Sequence, residues 1–167
     1  MNKIIPIIFT LLMSLNANAF DIRNDFHNGM FDEGKLTTLI ESKIYISNSL
    51  TLAYKGIGKT MLADHLFMPT SKLSYFNKGK ADLEKVIKLE PNNPEFRYLR
   101  LLIQLNAPFF LDYSSNINSD VNLFTKNLTN YNISKAWKLK FIVNLLAADG
   151  LTTQQKAKIT TLKNKLT

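Results

Sequence analysis

Apolar residues recur every three or four positions along most of the chain beyond residue 31, which is the period of an amphipathic α-helix. Proline, glycine and polar clusters divide this pattern into separate stretches, and none alternates apolar and polar residues long enough to indicate a substantial strand. The sequence therefore predicts an all-α fold of about seven helices, arranged either as a helical-hairpin array or as an irregular bundle. The apolar stretches that mark these helices are 36–44, 50–61, 76–87, 96–105, 121–131, 139–146 and 159–166.

Capping residues indicate where several of these helices begin. Asn93 is a favourable N-cap, and Pro94 after it suits the first position of a helix. The helix that follows is apolar on most of its surface, so we expect it at the centre of the core. Ser134 can cap the next helix but one, and Thr152 with Gln155 has the spacing of a capping box.

The first 19 residues have the three parts of a secretory signal peptide. Lys3 supplies the positive charge, residues 4–15 form an apolar stretch, and residues 17–19 (Ala-Asn-Ala) give a cleavage site. The apolar stretch is shorter than the ~20 residues that a spanning helix needs. We therefore expect cleavage and a soluble periplasmic or extracellular protein, with a loose leader over 20–31 and a single helical domain over 32–167.

The composition narrows the possible chemistry. The 167 residues include no cysteine, which excludes disulfides, thiolate catalysis and zinc–thiolate or iron–sulfur sites. The two histidines, His27 and His65, lack metal-site spacing. Residues 56–60 end like a phosphate-binding loop, but Ala53 stands where that loop needs its first glycine. We therefore expect a protein that is not an enzyme and has no cofactor or metal ion.

Residues 51–93 contain two helical patterns that carry small residues at set positions and end at a proline. The first pattern is made by Tyr54, Ile57, Gly58 and Met61, and the second by Gly79, Leu83, Val86 and Pro91. This arrangement resembles one tetratricopeptide repeat, in which small residues let two helices approach closely. The resemblance implies a helical-hairpin scaffold that binds a protein or a peptide.

A polar stripe crosses the otherwise apolar helix after Asn93. Arg97, Arg100 and Gln104 fall on one helical face, and arginine can hold a carboxylate with two hydrogen bonds. One hypothesis is that this stripe binds the partner. The alternative is that it forms the exposed edge of the helix and pairs with acids of a neighbouring helix.

Two segments, 68–74 and 109–118, lack the helical period and are predicted loops. The second begins with unusually apolar residues, including Phe109, Phe110 and Tyr113. These side chains either dock a partner or fold back onto the core. In the first case they line, together with the arginine stripe, one concave and accessible groove for a protein or peptide.

The charge of the chain is concentrated at its C-terminal end. The whole chain carries a formal charge of +8, and residues 135–167 contain seven lysines against one acid, Asp149. An alternative function is therefore binding to an anionic envelope surface or an anionic ligand; otherwise the lysines are a solvated face. Nucleic acid is not an expected partner, since no nucleic-acid motif is present. The seven lysines are Lys135, Lys138, Lys140, Lys156, Lys158, Lys163 and Lys165.

Overall fold

The computed structural model describes residues 22–42 and 48–167, and all regular structure within these ranges is helical. The predicted all-α fold is confirmed, whereas the predicted signal peptide and residue 44 lie outside the described residues. One 3-10 turn, Phe109–Leu111, follows the fifth helix. The α-helices are α1 Ile22–Gly29, α2 Glu33–Glu41, α3 Ser49–His65, α4 Pro69–Leu89, α5 Pro94–Asn106, α6 Ile117–Asn127, α7 Lys135–Ala147 and α8 Thr153–Leu166.

The helices pack as four successive pairs. Within the pairs, α1 contacts α2, α3 contacts α4, α5 contacts α6, and α7 contacts α8. Between the pairs, α2 contacts α3 and α4 contacts α5. In addition, α1 contacts α3, α3 contacts α5 and α5 contacts α7, so these four helices form one layer, and α6 contacts α8. The helical-hairpin array and membership of the tetratricopeptide class stay predictions.

Helix α5 is the centre of the core, as its sequence predicts. Every residue from Pro94 to Gln104 is buried, because α3, α4, α6 and α7 all pack against this helix. A helix that is buried on all sides brings its polar residues into the core with it, and each of those then needs a partner. The buried Arg97 and Arg100 are among the residues of α5 to which this requirement applies most strongly, because they are charged.

Helices α3 and α4 cross in close contact, and a glycine at the crossing permits it. A side chain on Gly79 would clash with the backbone of Gly56 and would lie 2.9 Å from the backbone nitrogen of Thr60. Gly79 therefore has the close-contact role that its sequence position predicts. Its counterpart on α3 is Gly56, whereas Gly58 packs against Leu39 of α2.

The predicted helix starts are confirmed at three positions. The Asn93 side chain accepts a hydrogen bond from the backbone N–H two residues later, and Ser134 accepts one from the backbone N–H three residues later. Thr152 and Gln155 form the reciprocal pair of hydrogen bonds that defines a capping box. The local polar pattern therefore fixes these three boundaries.

Two segments predicted to be irregular are helical. Residues 22–29 of the expected leader form α1, because Ile22 and Phe26 share one face of a helix and are buried. The expected loop over 68–74 belongs to α4, which begins at Pro69 in the first helical position that favours proline. Both predictions were wrong because they followed the polar composition of each segment and not its short apolar period.

Within the described residues, no helix has the length and apolar character that crossing a membrane requires.

Candidate functional site

The predicted arginine stripe is buried on an acid of the neighbouring helix. Asp120 of α6 accepts from Arg97 Nη1 at 3.0 Å, from Arg100 Nε at 2.7 Å and Nη2 at 2.6 Å, and from Gln104 Nε2 at 2.8 Å. A carboxylate offers about four acceptor positions, so Asp120 is saturated. The prediction that these three side chains line an accessible groove was wrong. Of the alternative, the pairing with an acid of a neighbouring helix is confirmed, but the exposed edge is not, because all three side chains are buried.

The same cluster reaches α4 through Glu84. Arg100 Nη1 donates to both carboxylate oxygens of Glu84 at 3.0 Å, and the Tyr113 hydroxyl donates to the same carboxylate. Burial works against the charge of Arg100, but the hydrogen bonds and charges of Asp120 and Glu84 outweigh burial and raise its pKa. The cluster therefore joins α4, α5 and α6 as a buried clamp with no free cation for a ligand.

A second buried carboxylate, at the start of α5, links this helix to α1 and α3. Glu95 is fully buried and accepts four hydrogen bonds, two of them from Arg23 of α1 at 2.6 and 2.9 Å. The others come from the hydroxyls of Tyr54 at 2.7 Å and Tyr131 at 2.9 Å. Burial, and then the negative charge of Glu95, raise the pKa of Tyr131 to about 12. Sequence analysis missed this cluster because its members lie far apart in the chain.

The apolar loop after α5 is divided between core and surface. Tyr113 is buried, with its ring edge-on to Phe76 at 6.0 Å and its hydroxyl bonded to Glu84. Phe109 and Phe110 are 96% and 81% exposed. Tyr113 therefore folds back onto the core, whereas docking of a partner stays a prediction for Phe109 and Phe110. An anchored loop that presents two exposed aromatic rings is a candidate contact surface.

A cavity of about 940 Å³, here called the apolar cavity, opens beside this loop. Its walls come from the two residues after α1, the C-terminal ends of α3, α5 and α7, the start of α4 and the 3-10 turn. Its volume lies within the range of about 300–1,000 Å³ that is usual for binding pockets. The large apolar side chains that line its inner part are Met30, Met61, Phe76, Leu102, Ile103 and Leu111.

The polar groups of this wall are few, and most of them already make hydrogen bonds within the protein. Thr60 and Asn106 donate to carbonyls of their own helices, and Asn144 donates to the hydroxyl of a buried tyrosine. The charged residues of the lining include Asp64 and Lys72, whose charges are opposite. The apolar cavity therefore offers apolar contact area and little hydrogen bonding.

Exposed apolar side chains gather at the mouth of the apolar cavity. Of the eight large apolar side chains that are exposed in the described residues, three line the cavity, namely Phe31, Leu73 and Phe110. Three more, Phe67, Met68 and Phe109, stand in short segments whose flanking residues line it. Exposed aromatic side chains around a concave apolar site are typical of contact surfaces for other molecules. This set, here called the apolar rim, consists of Phe31, Phe67, Met68, Leu73, Phe109 and Phe110.

Helix α1 already lies across the layer that forms the cavity. Its Phe26 packs on Tyr54 of α3, and its His27 lies beside Tyr98 of α5 and Trp137 of α7. One short helix therefore contacts α3, α5 and α7 with its side chains. The apolar cavity begins where α1 ends, at Met30.

His27 is held in this aromatic cluster as the neutral base. Its Nε2 is buried without a hydrogen-bond partner, and its Nδ1 lies 3.5 Å from Asn144 Nδ2. Burial, and then the positive charge of Lys140, lower the pKa of His27 to about 4. A protonated ring would lose the solvation of its charge among five aromatic side chains and would lie near the ammonium group of Lys140.

The lowered pKa predicts a loss of stability in mild acid that depends on His27. The unfolded chain binds this proton near the ordinary pKa of 6.5 and the folded protein only near 4, so stability falls as the pH drops between these values. We expect a loss of about 2 to 3 kcal/mol from this residue. Urea denaturation at several pH values should show a shallower decline for His27→Phe, while His65→Gln, at an exposed histidine, keeps the wild-type decline. Equal slopes in all three proteins would contradict the prediction.

The seven lysines of α7 and α8 make no ion pair with an acidic side chain anywhere in the described part of the chain. Several bind neutral groups instead: Lys138 donates to the carbonyl of Thr129 at 2.6 Å, and Lys158 donates to Asn122 Oδ1 at 2.8 Å. Lys140 lies 4.9 Å from the ring centre of Trp137. In the described residues, these seven lysines therefore have no acidic side chain within ion-pair distance.

Comparisons with known proteins assign no relative to this chain. No protein-family profile matches it, and searches of curated proteins and of solved structures find no significant match. Among the described residues, no group of three histidine, aspartate or glutamate side chains is placed to hold a metal ion. The apolar cavity with its apolar rim is accordingly the candidate functional site.

Proposed function

We propose that the protein is an exported binding module without catalytic activity, which holds an apolar segment of a protein partner in the apolar cavity. The observation that carries this proposal is the collection of exposed apolar side chains at one concave site. Each of the four phenylalanines in the apolar rim is at least 81% exposed. Ordinary monomers seldom leave so many aromatic rings in water at one site, because each ring buried in a complex would contribute to binding.

The chemistry of the wall favours an apolar partner. Asn144, Thr60 and Asn106 already use donor groups within the protein, so a polar ligand would lose its water without gaining equivalent hydrogen bonds. An apolar side chain loses nothing of this kind. Helix α1 supports the same conclusion, since the adjoining part of this layer already accommodates an apolar helical face.

The position of the site differs from the one that the sequence predicts. Phe109 and Phe110 keep their predicted role as candidate contacts. Arg97, Arg100 and Gln104 support the scaffold from inside, because they hold α5 to α6. Export is proposed on the strength of the first 19 residues alone.

The alternative proposal, an anionic surface bound by the C-terminal lysines, is favoured by their lack of acidic partners. It has a different physical signature. Binding through lysines weakens as salt screens the charges, whereas binding through the apolar rim is little affected by salt. One assay at two salt concentrations therefore separates the two functions.

We expect immobilised protein to retain one partner from its native extract, and Phe110→Ser to reduce that retention at least ~10-fold, because the ring is exposed and its loss removes contact area. Leu89→Ser is the matched control, since Leu89 is an exposed apolar residue outside the rim. Circular dichroism should be unchanged in both variants. Capture that Phe110→Ser leaves intact, or that high salt abolishes, would refute the apolar-rim proposal.

A further inference from the structure

We infer that the partner seated on the apolar rim is a second copy of this chain, in a twofold dimer in which Phe109 of each copy enters the apolar cavity of the other. This inference rests on the proposed function, since it names the partner of that same site. Twofold dimers are the commonest closed assemblies, and they need one patch that is complementary to itself. A patch that contains both a projecting group and a cavity that receives it meets this need.

The apolar rim has the area that such a dimer requires. Four phenylalanines that are each at least 81% exposed present roughly 600–800 Å² of apolar surface, if each ring side chain offers about 200 Å². A stable interface of ordinary size buries about 800 Å² on each partner. The half-exposed Met68 and Leu73 add to this area. The rim alone therefore approaches the area of one complete dimer interface.

The distribution of charge permits two copies to meet on this face. Each copy carries a formal charge of +8, so contact through the surfaces that hold this excess brings like charges together. The excess is concentrated in residues 135–167, which hold seven lysines against one acid. At the cavity, by contrast, Asp64 and Lys72 balance each other. A foreign partner of strong acidity would be expected on the lysines, not here.

Phe109 has the properties of the projecting group. It is 96% exposed and, unlike Phe110, it does not line the cavity of its own chain. Its loop is held in place, because Tyr113 is buried and bonded to Glu84 on α4. A loop that is already held in position loses little conformational freedom when a second copy covers it.

The first test measures self-association by sedimentation equilibrium over about 1 to 200 μM chain. We expect a monomer–dimer equilibrium that changes little when salt is raised, since the contacts are apolar. Phe109→Ser should raise the dissociation constant at least ~10-fold. Ala147→Trp, which adds bulk at an exposed residue of the cavity wall, should have a similar effect. Leu89→Ser and Ala157→Trp, at exposed sites outside the cavity, are the controls.

The second test uses the twofold symmetry. A chain with Phe109→Ser keeps its cavity, and a chain with Ala147→Trp keeps its Phe109. A mixture of the two restores one of the two contacts, so the heterodimer should be tighter than either mutant homodimer. A tag on one variant allows the heterodimer to be counted directly.

A chain that stays monomeric throughout, or a dimer that Phe109→Ser and Ala147→Trp both leave unchanged, would overturn the inference. So would a mixture that associates no better than its components. These outcomes are distinct from failure of the proposed function. A monomer that still retains a different protein through Phe110 refutes the second copy and leaves the binding module standing, whereas a monomer that retains nothing refutes both.

Discussion

Replacing Asp120 with alanine should lower the free energy of unfolding by about 3 to 5 kcal/mol. The carboxylate is fully buried and accepts four hydrogen bonds, from Arg97, Arg100 and Gln104. Its removal leaves two guanidinium groups in the core with less compensation for the water they have lost. Arg100 keeps Glu84, but Arg97 keeps only the carbonyl of Pro91. Urea denaturation followed by circular dichroism measures the loss.

The matched control is the ion pair between Lys59 and Asp82. Its atoms approach to 2.6 Å, as closely as the nearest contact of Asp120, but its side chains are 26% and 25% exposed. Asp82→Ala should therefore cost less than about 1 kcal/mol. If Asp120→Ala does not fold, Asp120→Asn provides a smaller perturbation of the same site. A similar small loss from the Asp120 and Asp82 variants would show that burial does not govern the clamp.

Non-additivity provides a further check on the clamp. Arg100→Met alone should destabilise the protein, because Asp120 and Glu84 lose a cation. Combined with Asp120→Ala, however, the loss should be smaller than the sum of the two single losses, because the same interaction is removed in both. Strict additivity would mean that the two groups act independently.

The clamp also explains why the arginine stripe was misinterpreted from sequence. The spacing of Arg97, Arg100 and Gln104 on one face was read correctly, but spacing does not say whether that face meets water or another helix. A signal was present on α6, where Asp120, Phe124 and Leu128 recur every fourth residue and so share one face. An acid on an apolar face implies a buried cation opposite it.

The fold was more predictable than the site. Helical period and caps are local properties, so they give the α-helical class, the central position of α5 and the boundaries at Asn93, Ser134 and Thr152. The apolar cavity is not local, because its wall draws on residues from Met30 to Ala148. No sequence window contains it. Of the residues that line the cavity, the sequence indicates only Phe110 as a candidate contact.

The packing of α3 on α4 depends on a different kind of local signal, which is the absence of a side chain. Gly79→Ala should lower the free energy of unfolding by about 2 to 3 kcal/mol, although alanine is the better helix former by about 1 kcal/mol. The added methyl group would overlap the carbonyl of Gly56 and would lie 2.7 Å from Thr60 Cγ2 and 2.9 Å from its backbone nitrogen. Backbone atoms cannot move aside as a flexible side chain can, so α3 and α4 must separate.

Gly34→Ala is the matched control for this prediction. It makes the same substitution at an exposed position of α2, where the nearest atom to the new methyl group is Asp32 Oδ1 at 3.4 Å. Helix propensity then acts without a clash, and the protein should become more stable by up to about 1 kcal/mol. Opposite signs for the two variants in urea denaturation would establish that close contact selects glycine at position 79. If both variants stabilised the protein, α3 and α4 would have to lie further apart than described, and the walls that they contribute to the apolar cavity would shift with them.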